Sequence, residues 1–60
     1  MTENQKAALA WARRNERRAD VLAAQARESW RWPEDRARLS ETIDCLLNEA
    51  KHFRAYAAQA

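Results

Sequence analysis

LSETIDCLLNEAKHFRAYA, residues 39–57, places apolar side chains at Leu39, Ile43, Leu46, Ala50, Phe53 and Ala57. The steps between them run four, three, four, three, four. Side chains three and four apart stack on one side of a helix, so this spacing draws a single narrow seam. A helix with such a seam needs a surface to lie against. The remainder of the chain is what packs on it, turns towards it or stays in water.

Upstream, Thr2-Glu3-Asn4-Gln5 has the form of a capping box, with Thr2 and Gln5 bonding each other's backbone amides. Helix-forming residues follow to about Trp30. Their inner face reads Ala8, Ala12, Ala19, Leu22/Ala23, Ala26 and Trp30, with Leu9 and Trp11 on the flanks. Pro33 is the only proline and glycine is absent. Proline has no amide hydrogen and drives Trp32 out of the helical region, so the first helix ends at or before Trp32. It also suits the first turn of a new helix, where Glu34 and Asp35 complement the positive end of the dipole.

The expected fold is all-α: an antiparallel αα-hairpin, helices about 3–31 and 33–58, forming one domain over residues 1–60. Folding at Trp32–Pro33 sets Ala26 against Leu39, Ala23 against Ile43, Ala19 against Leu46, Ala12 against Phe53 and Leu9 against Ala57. A small residue meets a large one at nearly every level, which lets helix axes approach closely. Sixty residues bury only about 60% of their unfolded surface, and the usual staples are missing. One cysteine, Cys45, closes no loop, and one histidine, His52, builds no zinc site. Trp11, Leu22, Leu47 and Trp30 lie beside the seam, and a second copy covering them gives a homodimeric four-helix bundle.

Net charge is +2, too small to imply nucleic acid by itself. The opening residues lack the apolar run of a signal peptide, and charges interrupt every long apolar stretch. With a single thiol, these features lead us to expect a cytoplasmic protein. Arginine outnumbers lysine nine to two, and Arg13, Arg14, Arg17 and Arg18 fall on adjacent turns. With Trp11 and Trp32 they are the candidate partner-binding residues. An acidic protein surface and the phosphates of a nucleic acid both suit the cluster; so does a solvated helix face with Arg13–Glu16 and Arg17–Asp20 pairing locally. Trp30 is expected to cover the hairpin end, whereas Trp32 suits exposure and partner contact equally. Asn15 and Glu16 interrupt the alanine seam. A polar group there fixes register, with Glu16 pairing to Arg54 or His52, or else Glu16 leans into water.

Catalysis is not expected. Cys45 and His52 stand seven apart on one helix, about 10 Å, too far for a nucleophile and its base. No paired-carboxylate pocket accompanies them, and no metal or cofactor is expected.

Two resemblances add to this reading. Met1-Thr2, Lys6, Ala8-Leu9 and Ala12-Arg13 resemble the start of the Rop-type helical-hairpin family of RNA-binding dimers. That family presents a polar-aromatic set on its first helix. This chain has Ala10 and Arg14 where asparagine and phenylalanine belong, so the resemblance implies the hairpin more than RNA binding. Trp30-Arg31-Trp32-Pro33-Glu34-Asp35, leading into the Leu39 seam, is similar to small Ala/Arg/Glu-rich helical accessory proteins of actinobacteria and their phages. It implies a non-enzymatic module that binds a host or phage protein. The same basic face used on RNA or DNA is the alternative.

Overall fold

The computed structural model of the chain describes residues 1–28 and 32–59. Two helices account for most of them: α1, Glu3–Glu28, and α2, Pro33–Ala57. No strand occurs among the described residues. The two pack along their lengths into a rod 46 × 13 × 10 Å, an antiparallel αα-hairpin.

Each helix begins where its sequence says it should. The Gln5 amide donates to Thr2 Oγ1 at 3.1 Å, and the Thr2 amide donates to Gln5 Oε1 at 2.8 Å, a complete capping box. The first bond of the α1 ladder follows, from the Lys6 amide to the Thr2 carbonyl at 3.0 Å. Trp32 is extended (φ −124°, ψ 82°), as a residue before proline must be. Its carbonyl accepts from the Arg36 amide at 3.1 Å, opening α2. The expected end of the first helix, Trp30 included, lies outside the described residues.

All six seam positions of α2 turn inward. Ala50 and Ala57 are buried, and Leu39, Ile43, Leu46 and Phe53 are half-buried. From α1 they meet Ala8, Ala12, Asn15, Ala19 and Leu22, all buried, with Ala23 and Ala26 half-buried. Leu22 thus belongs to the seam itself. The sequence leaves Leu22 sharing one step of the inner face with Ala23 and bordering the seam; the inner stripe of α1 runs through Asn15, Ala19 and Leu22 in steps of four and three. Trp11 and Leu47 remain outside, 50% and 46% exposed.

Contacts between the helices give the register. Asn15 reaches Leu46 and Glu49, which lie between the levels Ala19–Leu46 and Ala12–Phe53. Moving ten residues back along α1, to Gln5, moves the contact ten forward along α2, to Gln59. Helices of equal rise running in opposite directions require that relation.

Candidate partner-binding face

The half-turn of α1 that carries Trp11 and the arginines is set by the seam. With Ala8, Ala12, Asn15 and Ala19 turned inward, Trp11, Arg13, Arg14, Arg17 and Arg18 are all exposed. Within this set the structure brings Arg14 onto Trp11: the guanidinium carbon stands 4.8 Å from the ring centroid. Residues three apart on a helix are neighbours, and an arginine over an indole face gains cation–π attraction while its N–H donors stay free.

Among the described residues none of these four arginines lies within 4.0 Å of a carboxylate. The expected Arg13–Glu16 and Arg17–Asp20 pairs are therefore not closed. Exposed pairs gain little against the entropy of two long side chains, and Glu16 has a better partner. Arg54, from α2, donates through Nε to Glu16 Oε2 at 2.7 Å and through its terminal nitrogen to Oε1 at 2.6 Å. Of the alternatives open for Glu16, the Arg54 pair is the one that forms. Arg54's hydrogen bonds and charge, with a smaller contribution from Arg13, hold the Glu16 carboxyl below its ordinary range against a modest desolvation. The pair raises Arg54 in return.

Next to it, Asn15 is the buried polar side chain of the core. Its amide donates to the Leu46 carbonyl at 3.3 Å and to Glu49 Oε2 at 3.2 Å, so both of its N–H bonds are used. The seam reading identified the polar step; it did not identify Glu49 as its partner.

Trp32 belongs elsewhere. It is 65% exposed at the turn end, beside Pro33, Glu34 and Asp35, whereas Trp11 lies near the open end, about 33 Å away along the axis. Trp11 with the arginines is one surface, and Trp32 with two acids is another. The seam residues Ala12, Ala19, Ala23, Ala26, Leu39, Ile43, Leu46, Ala50 and Phe53 lie between the helices. Cys45 and His52 are both exposed on α2. No helix of the described residues is long and apolar enough to cross a membrane.

No family model matches the chain, and comparison with curated proteins and with solved structures finds no match.

Proposed function

We propose that the chain is a non-enzymatic protein–protein interaction module, a phage or mobile-element accessory protein of the cytoplasm that binds and modulates a host or phage protein. The surface it uses is the Trp11–arginine face of α1, and the partner offers an acidic patch. One observation carries this reading: Arg14 stacked on an exposed Trp11 amid three further exposed, unpaired guanidiniums. Tryptophan and arginine dominate binding hot spots. A guanidinium already held against a ring loses less freedom when its fork meets a carboxylate.

The test is affinity capture from host lysate, run in parallel with wild type, Trp11→Ala and Arg14→Ala/Arg18→Ala. A stoichiometric protein lost with both variants and released by moderate salt supports the reading. Capture of no stoichiometric protein, or one indifferent to both variants, counts against it.

A second reading rests on the same unpaired charges. Lys6, Arg13, Arg14, Arg17 and Arg18 suit phosphates, as in a Rop-like dimer on RNA or DNA. Each phosphate neutralised steepens the salt dependence of binding. A salt-sensitive shift of labelled nucleic acid, lost in Arg13→Ala/Arg17→Ala, would favour it. No shift at low salt removes it.

A further inference from the structure

The hairpin leaves more surface in water than its mass requires. It exposes 4960 Å², against roughly 4,000 Å² for a compact monomer of this size. Its radius of gyration is 13.9 Å, where sixty compact residues give about 10 Å. The excess, roughly 900 Å², matches the ~800 Å² that one partner contributes to a standard interface. The near-sealed side chains are mostly alanines: Ala12, Ala19 and Ala50. The bulky Leu39, Ile43, Leu46 and Phe53 are only half-buried.

One face of the rod has both halves of a self-complementary shape. Near the turn, Ala23, Ala26, Pro33, Ala37, Ser40 and Ile43, with Arg27 and Arg36, line a groove of about 680 Å³. Leu47 stands four residues beyond Ile43 and seven beyond Ser40, so it projects from the same side of α2, beside that hollow. We infer that this face binds a second copy of the chain, the Leu47 of each copy entering the groove of the other.

Mutual insertion fixes the arrangement. For Leu47 to lie over Ser40 of the second copy, and the reverse, the two α2 helices stack antiparallel with the two-fold axis between Ile43 and Asp44. The turns then sit at opposite ends. The overlap runs from Pro33 to Arg54, about 33 Å long and some 20 Å wide, on the order of 700 Å² per copy. That area is close to what a stable interface needs. A two-fold axis along the helices, with both turns at one end, would instead set Leu47 over the level of Glu16 and Asp20, a leucine against carboxylates.

One charge pair favours the first geometry and one opposes it. Glu16, Asp20, Ala23 and Arg27 share one side of α1 through steps of four, three and four. Stacking α1 on α1 brings Arg27, at the edge of the groove, within one turn of Glu16 of the other copy. Arg36, which lines the groove, comes level with Lys51 of the other copy, a like-charge pair that opposes this geometry and that salt weakens. Trp11, Arg14 and Arg18, stepped three and four apart on the other side of α1, stay outside and are displayed twice, giving the dimer two equivalent contact surfaces.

Sedimentation equilibrium of the full chain and a cross-linking pair test the inference. Wild type is expected at the dimer mass. Leu47→Arg is expected at the monomer mass with unchanged helical circular dichroism, because Leu47 lies outside the seam and is 46% exposed. In a Cys45→Ser background, a Ser40→Cys chain mixed with a Leu47→Cys chain should form a disulfide-linked heterodimer. Neither should link alone, since like positions stand about 10 Å apart along the axis. A wild type that stays monomeric at submillimolar concentration overturns the pairing. A dimer that survives Leu47→Arg, or that links position 47 to itself, overturns this face and geometry.

Discussion

Glu16 and Arg54 are joined by two parallel hydrogen bonds, 2.7 and 2.6 Å, that tie the middle of α1 to the last turn of α2. The fork geometry is the strong form of a carboxylate–guanidinium pair. Because folding lowers the Glu16 pKa from its ordinary 4.5, the pair stabilises the hairpin fully above that value. Its contribution is lost as pH falls through the lower, folded value. Thermal melts in steps from neutral to acid are expected to show the midpoint falling in that acid range. Glu16→Gln should lower the midpoint at neutral pH and flatten that limb of the profile. A Glu16→Gln profile parallel to wild type would show the acid sensitivity to come from other carboxylates.

Asn15 stands where the alanine seam calls for an apolar residue, and its two bonds offset the cost of burying an amide. Asn15→Leu is expected to raise stability, by about 1 kcal/mol, since a hydrophobic residue replaces a desolvated polar one and Glu49 returns to water. The register should suffer. With alanine facing aliphatics at most levels, a slip along the helices meets little resistance once the Leu46 carbonyl has no donor to select it. Denaturant titration measures the first effect. A second set of amide resonances in the NMR spectrum reports the other. A variant that is both less stable and singly populated would show Asn15 to act by fit alone.

How much of this was legible follows from what a period encodes. Spacing assigns residues to faces, so the Leu39–Ala57 seam, the Pro33 break and the capping box at Thr2 and Gln5 were readable. Leu22 and Ala23 share one step of the inner face, and only packing decides which of them turns in more deeply. Contacts that depend on side-chain reach were not readable: Glu49 meeting Asn15, or Gln5 meeting the Gln59 carbonyl. For Glu16 the sequence offered Arg13, Arg54, His52 and water, and only the packed helices select Arg54 among them. The stack of Arg14 on Trp11 had a signal, an arginine three residues after a tryptophan, but many such pairs point into water.

That stack makes a measurable claim about coupling. Trp11 is half-exposed, so Trp11→Ala should leave the fold intact and cost no more than about 1 kcal/mol. In a double-mutant cycle with Arg14→Ala, the interaction energy is expected near 0.5 kcal/mol, the value of an exposed cation–π contact. Urea titration of the four proteins measures it. A coupling of zero would mean that Arg14 is not held on the ring and presents no pre-arranged donor to a partner.

Gln5 ties the start of α1 to the end of α2 at the open end of the rod. Its side-chain oxygen accepts from the Thr2 amide, and its side-chain nitrogen donates to the Gln59 carbonyl just past α2. Two substitutions separate these roles. Thr2→Ala removes the hydroxyl acceptor of the capping box and should cost about 1 kcal/mol. Gln5→Glu keeps an acceptor for the Thr2 amide and adds negative charge at the helix N-terminus, which favours α1. It has no N–H for Gln59, however. Global stability should therefore change little in Gln5→Glu, while hydrogen exchange at the Ala58 and Gln59 amides, bonded to Arg54 and Tyr56 at 3.0 and 3.2 Å, becomes faster. Equal protection there in Gln5→Glu and wild type would show that the end of α2 is held by its own backbone bonds and not by Gln5.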